Sequence, residues 1–139
     1  MSVLLLRNPL QHYAWGSSTS IPTLVGAPSP HEKPCAEMWM GAHPKAPSLL
    51  EGGLALNEFI ARSPSTILGA DTYGRALPFL FKILAADAPL SIQCHPSKEQ
   101  AQAGFAREEA AGIRSDAPNR NYRDANHKPE LIVALEEFW

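Results

Sequence analysis

Apolar and polar positions alternate over Ser91-Ile92-Gln93-Cys94-His95, the period of a strand. Ser91, Gln93 and His95 are expected on one face, with Leu90, Ile92 and Cys94 on the other. The same alternation runs through Glu37-Met38-Trp39-Met40, where large side chains on both faces suggest burial on both sides. Nearly continuous apolar runs predict further strands at Val3 to Leu6, at Leu77 to Ala86 and at Glu130 to Leu135, the last of them buried. Helices are marked by their ends. Leu56 to Ala61 reads as a short helix, and Ser63-Pro64 starts another as N-cap and first-turn proline, reaching Leu68 before Gly69. Ser97-Lys98-Glu99-Gln100 has the form of a capping box, and the helix it opens continues from Ala101 to Ala111 with Gly112 at its end and a solvated Ala/Glu/Arg face. Ile113 to Asn126 is polar and turn-rich, a long loop. Short strands and frequent turns suit a mainly β fold with short helices, arranged as an antiparallel barrel or double-sheet jelly roll.

Composition narrows this picture. At 139 residues the chain is one domain's worth, and Ala27-Pro28-Ser29-Pro30 is a loop within it, because too little chain precedes it to build a core. An apolar share of 45% with 19% charged residues argues against disorder. A net charge of −2, with Lys and Arg spread along the chain, marks neither a nucleic-acid nor a membrane surface and favours a small-molecule partner. The amino terminus lacks a basic region and a small-residue cleavage site, so it does not read as a signal peptide. No stretch reaches the roughly 20 apolar residues of a membrane helix. Cys35 and Cys94 stand in unlike contexts and read as free thiols, which fits a reducing cytoplasm.

The candidate chemistry lies on the strand faces. Side chains two apart on one face are rooted about 7 Å from each other, so a Gln93 oxygen and a His95 ring nitrogen can converge on one ion. Glu130 is a possible third ligand, and the set would leave a position open for water or substrate. The plainer reading of His95 is a satisfied strand-end histidine. Lys82 inside an apolar run must either snorkel outward or meet an anion, because burying an unpaired ammonium costs several kcal/mol. Glu37 is either a solvent-facing strand residue or part of a site. Tyr13 and Trp15 make an aromatic pair that could anchor a turn, with Gly16 relieving the backbone. Cys94 is turned toward the core by the alternation that aims Gln93 and His95 at an ion. His12, His31 and His43 have no partner at ligand spacing and read as surface or loop residues.

The segments Ser91-Ile92-Gln93-Cys94-His95-Pro96 and Asn126-His127-Lys128-Pro129-Glu130 together resemble the metal-binding core of the type I phosphomannose isomerases, in which a Gln-x-His strand and a later His-Lys-Pro-Glu hold zinc. Tyr13-Ala14-Trp15-Gly16 resembles the family's amino-terminal signature, whose Trp lines the sugar pocket. The segment from Ala36 to Pro44 resembles a block whose Glu sits at the active-site rim, and Lys82 matches a lysine lining the substrate site. The resemblance implies a cupin barrel, one Zn2+ per chain on Gln93, His95 and Glu130, and a monomeric cytoplasmic enzyme of carbohydrate metabolism and GDP-mannose biosynthesis. Its reaction interconverts mannose 6-phosphate and fructose 6-phosphate, moving a proton between C1 and C2 through an enediol.

Such chemistry needs a base, an electrophile and a phosphate anchor. Lys128 is a candidate base, since alternation puts it on the face of Glu130 and a nearby cation with burial would favour the neutral amine. If Pro129 distorts the strand start, His127 takes that place. Trp15, Glu37, Lys82 and Ser91 are the expected substrate contacts. The resemblance spans the amino-terminal part of the family's fold, and the expected remainder comprises a helical insertion, the second half of the barrel, a fourth ligand (a His) and an active-site Arg. Two other readings use the same residues: a non-catalytic metal- or sugar-binding cupin module, and a remnant that binds nothing.

Overall fold

The alternation at Glu37 does become a strand, the central one of the larger sheet. In the computed structural model, which describes residues 3–69 and 75–137, β2 (Leu10–Gln11), β3 (Glu37–Met40) and β5 (Phe81–Leu84) pair antiparallel in the order β2-β3-β5. A second, two-stranded antiparallel sheet joins β1 (Leu6–Arg7) to β4 (Leu49–Leu50). Helices α1 (Ser20–Leu24), α2 (Leu56–Arg62) and α3 (Pro64–Leu68) connect these strands, and α4 (Lys98–Ala110) follows. The architecture is antiparallel β with short helices, and the described strands close no barrel. The chain divides into two compact units, Met1–Leu90 and Ser91–Trp139.

The first unit is built around β3. Its Trp39 is buried together with Cys35 and Ala36 just before the strand, Ile21 of α1 and Ile60 of α2. The turn at Trp15 is stitched to the end of β5, where the Ser17 N–H donates to the Ala85 carbonyl at 3.0 Å and the Asp87 N–H to the Trp15 carbonyl at 2.9 Å. Gly16 is needed here for closeness rather than for an unusual backbone angle. A Cβ at this position would lie 2.5 Å from the Ala36 backbone, well inside contact distance. The apolar runs at either end of the unit are only partly strand. Val3 and Leu5 are exposed and β1 begins at Leu6, while Phe79 and Phe81 at the start of the Leu77 run face solvent. Tight pairing is confined to the residues that have a neighbour to bond.

In the second unit the capping box forms as the sequence predicts. The Ser97 hydroxyl accepts from the Gln100 N–H at 3.2 Å, and the Gln100 side-chain oxygen accepts from the Ser97 N–H at 2.8 Å. The helix ends at Ala111, and Gly112 adopts a φ of 67° beyond it. Its inner face is small and polar: Ala101, Gly104 and Glu108 are the buried positions. The loop after α4 folds back onto this face. Glu108, expected on a solvated face, accepts from the Tyr122 N–H at 2.9 Å and pairs with Arg120 at 3.0 Å.

The strands expected at Ser91–His95 and Glu130–Leu135 are not found among the described residues. Neither joins a ladder among the described residues, and their apolar side chains are uncovered: Ile92 is 99% exposed, Leu131 93% and Leu135 84%. Alternation records which side chains share a face. A strand also needs a neighbour to satisfy its backbone, and no described residue supplies one. For the same reason Cys94, expected in the core, is an exposed free thiol.

Two outcomes follow from the α4 packing. A Cβ at Gly104 would sit 2.6 Å from the Tyr122 ring. Gly104→Ala is therefore expected to lower unfolding stability by about 1–3 kcal/mol despite alanine's better helix propensity, measured by denaturant titration. Hydrogen bonds from the Tyr122 backbone, ahead of the Asn121 backbone and side chain and the Arg120 charge, hold the Glu108 carboxyl below the usual glutamate range against the upward push of desolvation. A depressed folded-state value contributes stability that is present above the unfolded value and lost as pH falls through the folded one. Glu108→Gln should accordingly flatten the acid limb of a stability-versus-pH curve.

Candidate functional site

Two groups of predicted site residues are brought together among the described residues, one within each unit. In the first, strand register does the positioning. Trp39 on β3 lies directly opposite Lys82 on β5, and Glu37, two residues before Trp39, shares their face. Glu37 is buried, its Oε2 accepting from the Trp39 indole N–H at 2.6 Å and its Oε1 from the Lys82 ammonium at 3.5 Å. The ammonium also stands 5.8 Å from the centre of the Trp39 ring. Of the alternatives open for Lys82, the structure takes the anion, and the solvent-facing reading of Glu37 is replaced by a buried one. Trp39 was not singled out as a site residue, although the same alternation that exposed Glu37 placed the two on one face. Trp15 is half-buried and stacks on Tyr13 with centroids 5.7 Å apart.

The second cluster gathers residues from either side of α4. His95 Nε2 and Glu130 Oε2 approach to 3.4 Å. Pro96 and the Ser97 cap fix where His95 stands relative to the helix start, and the Lys98 ammonium donates to the Asn126 side-chain oxygen at 2.9 Å, tying the His127–Glu130 segment to that same end. Gln93 lies on the extended segment two residues before His95 and is exposed, as are Ser91, His127 and Lys128. The burial expected to favour a neutral Lys128 is thus not found within this unit.

The geometry can be tested against a divalent ion. Two donors bound tetrahedrally at about 2.0–2.1 Å stand roughly 3.3 Å from each other, because the separation is twice the bond length times the sine of half the tetrahedral angle. The observed 3.4 Å between imidazole and carboxylate matches that spacing. Both groups are partly open, at 36% and 60% side-chain exposure, which leaves room for further ligands. Nitrogen and oxygen donors of this kind suit zinc and related transition ions.

His12, His31 and His43, expected to have no partner at ligand spacing, each have close neighbours. His12 and His31 each bring a ring nitrogen within 4.8 Å of the other's and of the Cys35 sulfur. Sequence spacing could not show this, because the three meet through the pairing of β2 with β3. His43 packs edge-on against Trp39 at 4.8 Å between ring centres.

Comparison with known proteins places these residues in context. A family model described as phosphomannose isomerase type I, catalytic domain, matches residues 3–139. The chain is similar to the mannose-6-phosphate isomerase of Escherichia coli K12, 50% identical over an aligned length of 140 residues that covers 96% of this chain and 36% of that protein. It is 38% identical over 144 residues to the human mannose-6-phosphate isomerase, covering 93% of this chain and 31% of its relative. Among solved structures it resembles mannose 6-phosphate isomerase from Salmonella typhimurium bound to fructose 6-phosphate and zinc, with a TM-score of 0.78 and 47% identity over 90% of this chain and 33% of that one. The chain spans about a third of the length of the curated relatives it matches.

The Glu37 cluster yields its own expected outcome. Glu37→Ala strands the buried indole N–H of Trp39 and should cost about 1–3 kcal/mol of stability. Glu37→Gln keeps an acceptor for the indole and should cost clearly less, the comparison being made by denaturant unfolding of the two variants.

Proposed function

Because the chain belongs to the type I phosphomannose isomerase family, we propose that it forms the amino-terminal part of a zinc-dependent aldose-ketose isomerase interconverting mannose 6-phosphate and fructose 6-phosphate. The observation that carries this reading is the 3.4 Å approach of His95 to Glu130, a donor spacing suited to a shared ion. Gln93, His95 and Glu130 would hold one zinc per chain, with a further position for a ligand or substrate. Zinc bound there supplies Lewis acidity that polarises a substrate oxygen or assists ring opening.

The chain's own residues supply the remainder. Lys128 would act as the base that takes the proton from C2 of the aldose and returns it to C1, with His127 as the neighbouring alternative. Trp15, Glu37, Lys82 and Ser91 are assigned to substrate contact. Lys82 offers a positive charge to the phosphate, moderated by its pairing with Glu37, and Ser91 offers a hydroxyl. The fold is read as cupin-type. Uncovered Ile92 and the apolar run from Leu131 to Leu135 support this, since such segments suit interior strands of a barrel completed by more of the family's length. A cytoplasmic setting is supported by two free cysteines. No helix among the described residues is long and apolar enough to cross a membrane.

Exposure of Lys128 and His127 favours a second reading for the chain at this length, a metal- or sugar-binding module without turnover. Zinc competition titrations and a coupled assay separate the two. In chains carrying Cys35→Ser, so that the His12, His31 and Cys35 group cannot contribute a sulfur ligand, His95→Ala or Glu130→Ala should each weaken zinc binding by on the order of a hundredfold, at least as much as loss of an outer-shell partner costs. Unchanged affinity in both variants would remove the metal assignment. Zinc binding without fructose 6-phosphate turnover, in a chain extended to the relatives' full length, would reduce the protein to a binding module.

A further inference from the structure

The His12, His31 and Cys35 cluster lies in the first unit and is not used by the proposed isomerase chemistry. His12 directly follows β2, while His31 and Cys35 belong to the loop that leads into β3. Pairing of β2 with β3 sets Gln11 opposite Glu37, and the Ala36 N–H donates to the Gln11 carbonyl at 2.8 Å, which brings the residues flanking the ladder together. The imidazoles of His12 and His31 stack with centroids 5.6 Å apart and planes 12° from parallel. Cys35 is fully buried, its sulfur 3.9 Å from His12 Nδ1. Among the described residues, this is the one place where three His, Cys or acidic side chains bring ligand atoms within 4.8 Å of one another.

We propose that His12, His31 and Cys35 form a second metal site, one that takes a thiophilic ion such as Zn2+ and is separate from the Gln93, His95 and Glu130 set. Two imidazole nitrogens and a thiolate form a donor set favoured by zinc and by softer ions, and unlike the first set it includes sulfur. Bonds of about 2.3 Å to sulfur and 2.0–2.1 Å to nitrogen require donor separations near 3.5 Å, so the observed spacing closes by side-chain rotation of an ångström or so. His12 Nδ1 stands 2.8 Å from the Pro34 carbonyl and 3.9 Å from the Cys35 sulfur, and the Lys33 N–H donates to His31 Nδ1 at 3.2 Å, so both imidazoles are held by the loop that carries Cys35.

Cys35 is buried, while His12 is exposed and His31 half-buried. Burial pushes the Cys35 thiol up from its ordinary range. Ion binding therefore displaces its proton, one sulfur–hydrogen bond being lost as one sulfur–metal bond forms, and the proton passes to solvent. An ion held there would clip the loop to the end of β2, directly ahead of Glu37.

Cobalt(II) titration of the chain tests this, because only a sulfur ligand gives thiolate-to-cobalt charge-transfer absorption in the near ultraviolet. The band is expected in the parent chain, in Cys94→Ser and in His95→Ala, and is expected to vanish in Cys35→Ser. His12→Asn and His31→Asn, at exposed and half-buried positions, should each weaken cobalt binding at the band by at least tenfold. These two variants decide the matter if Cys35→Ser fails to fold. Absence of the band, its survival in Cys35→Ser, its loss in Cys94→Ser, or its indifference to both histidine variants would overturn the proposal.

Discussion

Arg120 is almost fully buried, and the second unit is organised around its guanidinium. It donates to the carbonyls of Ile113 and Tyr122, pairs with Glu108 at 3.0 Å and Glu109 at 2.7 Å, and lies 5.1 Å from the centre of the Phe105 ring. A buried charge is costly unless it is paired and hydrogen-bonded, and here the pairing is supplied by the same helix that the loop must fold against. The loop from Ile113 onward is thereby fixed to α4. Its far end then returns to the start of the helix, where Lys98 holds Asn126 and Glu130 reaches His95. Without that return the two donors would belong to independent extended segments.

The first unit solves a different problem with similar means. Its sheet carries an acid, a base and an indole on one face, and each is satisfied by the others. Glu37 accepts from Trp39 and Lys82 at once, so a buried carboxylate is tolerated next to the core and the lysine is held at an edge where it keeps a third of its side-chain exposure. Such an arrangement can present a positive charge outward while remaining stable in the absence of any ligand. Strand register, set by β3 between its two neighbours, determines which residues take part.

Much of this was legible in the sequence where the signal is local. Alternation located β3 from Glu37 to Met40, Ser63-Pro64 and Gly69 bracketed α3, and the Ser97 and Gln100 pair marked the start of α4. The motif residues His95 and Glu130 were paired by resemblance to a family, and no periodicity would have joined them. What stayed hidden depends on distant partners. Ile92, Leu131 and Leu135, uncovered among the described residues, show that an apolar pattern does not reveal which strand it pairs with. Glu108 looked like one more charge on a solvated helix because its partners lie in a loop without regular pattern. His12, His31 and Cys35 were unreadable as a group, since only the register of β2 on β3 brings them together.

The functional account stands on His95 and Glu130 acting on the same ion rather than as a passing imidazole-carboxylate contact. A double-mutant cycle on zinc affinity, using chains that also carry Cys35→Ser so that no sulfur site contributes, addresses this directly. Shared coordination predicts strong coupling, with the doubly substituted chain binding zinc little more weakly than either single variant. Effects that simply add, the double loss equalling the two single losses summed, would contradict it.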